Sequence, residues 1–309
     1  MAAWLRLIRW QNLLIILLTQ GLAWWCLVWP AAPQVLHPVG FLLLSLSTML
    51  IAAAGYIIND YFDIKIDQVN HPEKVVLGKV IPRKTAIIAH TLINVVAIAL
   101  AGSVALAARH PEWLALQLTC TALLWVYSTT YKRRYMSGNI IVSALTAFTV
   151  VALFVYEPRL HLAAGAPLTR SRAALSSLPV WILAVYAYFA FMLTWVREIV
   201  KDMEDIEGDA VDGCVTMPIK RGLGYAAWFA SALAALAIIP LVIWGVVLLQ
   251  YEYTMLGTYI LALLALPLAV WIGYLWRGPA GPAHYHAASR MLKVIMLLGI
   301  SSLLIYKFQ

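Results

Sequence analysis

The sequence predicts an all-α, multi-pass membrane protein with about nine transmembrane helices around a central cavity. Two observations carry this. Hydrophobic residues make up 63% of the chain and charged residues only 12%, about half the charge of a soluble domain. Apolar runs of about 18 residues or more recur along the whole length, unbroken rather than alternating. A segment crossing a bilayer must satisfy its own backbone, which leaves helices or a closed barrel, and unbroken runs favour helices. Residues 1–309 read as one intramembrane domain.

The first apolar run, 11–29, is longer than a secretory leader core and has no small-residue cleavage site, so it reads as a retained helix. The second, 38–58, leads directly into "YIINDYFDIKID". Runs 85–108 and 112–131 follow, the latter ending in "YSTTYKRR". The fifth run, 139–156, is joined by the segment 157–178 to the sixth, 179–196, which gives way to "REIVKDMEDIEGDAVDG". Runs 225–250, 254–276 and 290–306 complete the set. "HYH" at 284–286 puts two imidazoles at i,i+2, on different faces of any helix, and reads as a surface loop rather than a metal site.

Nine crossings put the termini on opposite sides. With the N-terminus in the cytoplasm, all but five of the 22 Lys and Arg residues (Arg109, Arg159, Arg170, Arg172 and Lys307) fall on the cytoplasmic side, as the positive-inside rule requires. The expected location is the cytoplasmic membrane, with the active site opening to the cytoplasm. The formal charge of +8 is then explained by loop anchoring and anionic lipid, not by nucleic acid, for which no basic stripe interleaved with aromatics exists. Cys26, Cys120 and Cys214 have no disulfide or metal-ligand spacing.

All seven aspartates lie in two segments, both cytoplasmic by this orientation. Asp60, Asp63 and Asp67 are separated by three and then four residues, and so are Asp202, Asp205 and Asp209. On a helix such neighbours share one face, with Cβ atoms about 5–6 Å apart. Asn59 adds an amide oxygen four residues before Asp63. Stacked like charges destabilise a helix, and a hard divalent cation offsets that. Mg²⁺ prefers carboxylate oxygen and keeps room for water and phosphate. Two acidic clusters across a cavity suit a diphosphate, whose charge the metal neutralises as it leaves. Lys132 and Arg133 after the fourth run, and Arg197 and Lys201 after the sixth, are candidate phosphate ligands. No Walker-type loop, zinc-binding His pair or Gly-x-Ser-x-Gly elbow is present.

These motifs resemble those of the UbiA superfamily of intramembrane prenyltransferases. "NDYFDIKID" matches its Asn-Asp-x-x-Asp-x-x-x-Asp motif at Asn59, Asp60, Asp63 and Asp67, and "DMEDIEGD" its second motif at Asp202, Asp205 and Asp209. "YSTTYKR" meets the Tyr-x-x-x-Lys pattern loosely, with Tyr127, Lys132 and Arg133. The resemblance covers essentially the whole chain. It implies that the six aspartates are catalytic, holding Mg²⁺ against a prenyl diphosphate whose ionisation gives an allylic cation for an acceptor to capture. Tyr56, Tyr127, Tyr186, Tyr188 and Trp195 would then shelter the cation.

Within the superfamily, "REIVKDMEDIEGD" followed by "TMPIKRG" is most similar to the ether-lipid branch, the digeranylgeranylglyceryl phosphate synthases. That implies geranylgeranyl diphosphate as donor and geranylgeranylglyceryl phosphate as lipid acceptor. "NHPEK" departs from the usual Asn-Arg-Pro, with His71 in place of Arg. An aromatic acceptor of a quinone, chlorophyll or haem pathway is the alternative. A cation transporter is the alternative from another class, but transporter sites lie near mid-bilayer and no acid interrupts the middle of a predicted span.

Overall fold

The computed structural model describes residues 2–70, 72–73, 75–164, 171–251, 253–278 and 281–309; His71, Lys74 and Arg170 lie outside them, as does part of the 157–178 segment. The described residues are helical, with no strand. Among the described residues, eight helical segments are long and apolar enough to cross a membrane. The remaining predicted run, 112–131, is a helix of only 16 residues, Leu114–Thr129, extended at its start by a 3₁₀ turn at Pro111–Trp113. The chain forms two compact units, Met1–Tyr131 with Ala147–Ala187, and Lys132–Thr146 with Tyr188–Gln309.

The first unit begins with α1 (Ala2–Leu7) and α2 (Trp10–Ala23), the latter continued by a π turn at Trp24–Val28 and a 3₁₀ turn at Trp29–Ala31. Then come α3 (Pro38–Asn70), α4 (Arg83–Ala107) and α5 (Leu114–Thr129). The end of α6 (Ser137–Val155), α7 (Pro158–Ala164) and the start of α8 (Ser171–Glu204) complete the unit. Gly55 lets α3 and α5 approach: a Cβ there would lie 2.7 Å from Leu124 Cδ2. Polar side chains join the helices where apolar burial drives nothing. Ser47 Oγ donates to the Ala97 carbonyl at 2.7 Å, and His90 Nδ1 lies 2.9 Å from the Ala54 carbonyl, both between α3 and α4. Leu7 of α1 is buried with Ile57 and Ile64 of α3 and with Val76, Leu77 and Ile81 of the following loop.

Glu157 opens the 157–178 segment and is fully buried. Its carboxylate accepts the backbone N–H groups of Gln34, Val35 and Leu36 at 2.9–3.0 Å, and that of Arg159 at 3.2 Å. Four donors satisfy a charge that burial would otherwise make costly. The segment therefore does more than connect α6 to α8: its first residue fastens the turn between α2 and α3.

The second unit takes the start of α6, the end of α8, and then α9 (Ile206–Val211), α10 (Met217–Arg221) and α11 (Leu223–Gln250). It continues with α12 (Thr254–Ile260, leading into a π turn at Leu261–Ala265), α13 (Leu266–Arg277) and α14 (Pro282–Phe308). Ala226, Ala230, Ala234 and Ala237 give α11 a fully buried small-residue stripe against which neighbouring side chains pack. Gly257 permits a close crossing of α12 on α11, since a Cβ there would lie 2.8 Å from the Gly245 carbonyl oxygen. Trp271, fully buried, donates its indole N–H to the Ala288 carbonyl at 2.9 Å.

One expectation is corrected here. "HYH" is not a loop: α14 starts at Pro282, eight residues before the predicted run, and carries both histidines on its first turns. A proline at the first helical position is pre-set for a start there. His284 is buried and stacks on Tyr274 at 4.6 Å between centroids. His286 Nδ1 lies 2.8 Å from Glu204 Oε1.

Candidate active site

Asn59, Asp60, Asp63 and Asp67 all lie on α3, which runs unbroken to Asn70, so the expected stripe forms on one helix. Asp63 is buried, at 3% exposure. Asn59 Nδ2 donates to Asp63 Oδ2 at 2.6 Å, orienting the carboxylate. Asn59 Oδ1 is buried without a hydrogen-bond partner. Asp60 accepts from Arg9 Nη2 at 2.8 Å, and the Arg9 guanidinium also lies over the Tyr56 ring, 5.0 Å from its centroid. Arg9, in the turn between α1 and α2, carries a left-handed backbone, φ 49° and ψ 53°, uncommon for a residue other than glycine.

In the second motif the expected single stripe is interrupted. Asp202 sits on α8, Asp205 in the break after Glu204, and Asp209 on α9. Asp205 has φ −94° and ψ 10°, in the bridge region. The hydrogen-bond ladder survives across the break: Asp205 N donates to the Lys201 carbonyl at 2.8 Å and Asp209 N to the Asp205 carbonyl at 3.1 Å. Asp202 Oδ2 accepts from Asn139 Nδ2 of α6 at 2.8 Å, and Asp209 is buried.

Basic side chains near this motif pair with neighbouring acids within the second unit. Arg133 pairs with Asp212, Nη2 to Oδ2 at 2.7 Å, while its carbonyl accepts Val215 N–H at 2.9 Å. Arg133 therefore ties the first residues of the second unit to the loop after α9. Arg197 Nη1 lies 2.8 Å and Lys201 Nζ 3.9 Å from Glu198, which they share. The buried Cys214 thiol is pushed up to about 11, first by burial and then by the charge of Asp209, against the opposing pull of Lys132. It is a poor nucleophile at neutral pH. Tyr127 lies near the end of α5, outside the second unit that holds Lys132.

The sequence reading missed Arg9, Asn139, Glu198 and the Glu204–His286 pair. Asn139, an amide at the first position of an apolar run, was the visible signal among them.

The donors suit a hard cation. They are carboxylates plus an amide oxygen that is buried and unpartnered at Asn59. Among the described residues no three His, Cys, Asp or Glu side chains converge to hold a metal by themselves. Mg²⁺, which usually keeps waters and takes substrate phosphate oxygens, does not require such a cage.

The UbiA prenyltransferase family matches residues 21–297. The digeranylgeranylglyceryl phosphate synthase of Methanopyrus kandleri is 33% identical over 271 residues, covering 86% of this chain and 87% of that protein. The synthase of the same name from Methanosphaera stadtmanae is 29% identical, covering 84% of each. Among solved structures, one of a digeranylgeranylglyceryl phosphate synthase in membranes superposes with TM-score 0.64 at 23% identity, covering 99% of this chain and 97% of that one. A UbiA homologue from Archaeoglobus fulgidus bound to GPP and Mg²⁺ superposes with TM-score 0.57 at 16% identity, covering 97% and 99%. At such identities the structures speak for the fold. The match along most of the chain, with both aspartate motifs in place, makes this multi-pass membrane protein a member of the UbiA prenyltransferase family.

Proposed function

We propose that this prenyltransferase moves a geranylgeranyl group from its diphosphate to the free hydroxyl of geranylgeranylglyceryl phosphate, as a single domain spanning residues 1–309. The observation that carries the acceptor assignment is the likeness, 33% identical over 86% of the chain, to a protein named for that product. The metal would be held by Asn59, Asp60, Asp63 and Asp67 and by Asp202, Asp205 and Asp209. When bound there, Mg²⁺ would neutralise the charge of the diphosphate leaving group. Asn59 fixes the Asp63 carboxylate for this task, as Asn139 fixes Asp202. Lys132, Arg197 and Lys201 bind phosphate oxygens. Arg133, paired with Asp212, supports Lys132 more than it contacts substrate. Tyr56 and Tyr127 present aromatic faces to the allylic cation.

A phosphate on the acceptor calls for more positive charge than a phenol does, and that separates the two acceptor classes. Purified protein with Mg²⁺ and labelled geranylgeranyl diphosphate should alkylate geranylgeranylglyceryl phosphate and leave 4-hydroxybenzoate nearly untouched. Lys132→Ala should raise the KM for one phosphate-bearing substrate by about tenfold, the mark of lost ground-state binding. Efficient alkylation of the aromatic ring with none of the glyceryl phosphate would overturn the assignment.

The protein is placed in the cytoplasmic membrane with its N-terminus inside, supported by the distribution of Lys and Arg. Exposed positions make the test. In intact cells, Val80→Cys, at a site 68% exposed, should be shielded from an impermeant thiol reagent, and Leu162→Cys, at a site 73% exposed, should be labelled. The reverse pattern would invert the orientation.

A further inference from the structure

We propose that Arg9 is the resident counter-ion of the first aspartate motif, and that a divalent cation binds there in competition with it. The inference rests on the proposed metal role of that motif. Three observations carry it. Arg9 donates to Asp60 Oδ1 at 2.8 Å, so a guanidinium occupies a carboxylate oxygen that a cation would take. It is fixed there by a second contact, the Tyr56 face at 5.0 Å. Its backbone is in the left-handed region, φ 49°, a strained conformation for such a residue that persists only where the surroundings enforce it.

Those surroundings are the short helix α1. Leu7, two residues earlier and 1% exposed, is clamped against Ile57 and Ile64 of α3, with Trp4 and Ile8 packed beside it. Ile57 precedes Asp60 by three residues and Ile64 follows it by four. The N-terminal segment thus straps itself across α3 at the level of the motif and delivers one positive charge to it. Three carboxylates on one stripe repel each other, and Arg9 relieves part of that repulsion while no metal is bound. A cation binding Asp60 must displace the guanidinium or share the carboxylate with it. Either way, Arg9 weakens cation binding to the free enzyme and thereby biases metal entry toward the complex with substrate, whose phosphates supply ligands of their own.

The test is binding of Mn²⁺ alone, by electron paramagnetic resonance, to purified full-length protein without substrate. Arg9→Gln should bind about tenfold tighter than wild type, the scale of one charge-assisted hydrogen bond removed from competition. Arg9→Lys, which keeps the charge and carries the test should the glutamine variant fail to fold, should fall between the two. Affinity unchanged or weakened in both variants overturns the proposal. Asp63→Asn, measured in parallel, separates this from failure of the metal reading. If wild type and Asp63→Asn bind Mn²⁺ equally, the motif is not the metal site and the inference falls with it. If Asp63→Asn binds weakly while Arg9→Gln matches wild type, only the role of Arg9 is refuted.

Discussion

Replacing Asp63 with alanine should lower prenyl transfer by at least about a hundredfold, the scale of losing an electrostatic stabiliser of the transition state. Asp63 is the most buried acid of the first motif, and its orientation is set by Asn59 at 2.6 Å. On the proposed metal role of the motif, its loss would leave the cation short of a ligand and the departing diphosphate poorly neutralised. The fold should survive. Removing the acid relieves repulsion along the stripe, against the cost of about 1 kcal/mol for leaving the Asn59 amide without its acceptor. Initial rates at saturating Mg²⁺ and a melting curve in detergent decide it. Near-normal turnover would remove Asp63 from the site, and a lost melting transition would mean the residue holds the fold instead.

The second motif should respond in two grades. Asp202→Ala should cost about a hundredfold in kcat on the same grounds. Asn139→Ala should cost only about tenfold, because the carboxylate remains and loses just the hydrogen bond that aims it. The smaller loss should appear in kcat with little change in KM for the donor. The double variant should be no slower than Asp202→Ala, since Asn139 acts through Asp202. Additive losses in the double variant would show that Asn139 has a separate task.

How much of this was legible depended on whether a local rule governed the residue. The stripe on α3 follows from three-and-four spacing, and nothing nearby breaks the helix before Asn70. The second motif has the same spacing, yet the chain bends at Asp205. Spacing alone does not report such a break, because the surviving i→i−4 bonds on either side keep the local pattern helical. The start of α14 was legible and misread: Gly281 before Pro282 is a start signal, outweighed in the sequence reading by the polar "HYH". The run at 112–131 was bounded by hydropathy, while its regular helix stops at Thr129, short of Lys132. Arg9 was invisible for another reason. An arginine before an apolar run is what loop anchoring produces, and only the position of α1 reveals its partner 51 residues away.

The length of α3 bears on how each turnover ends. Its 33 residues span about 50 Å, whereas the hydrocarbon layer is about 30 Å thick. Counted from Pro38, that thickness is used up near Ile58, and Asn59 is the next residue. On the proposed role of that motif, the reacting bond would be broken at the border between oil and water. One product of prenyl transfer is soluble only in water and the other only in lipid. Inorganic diphosphate can depart without crossing an apolar layer, and the alkylated acceptor need never leave one. Neither product has to be carried through the medium that rejects it.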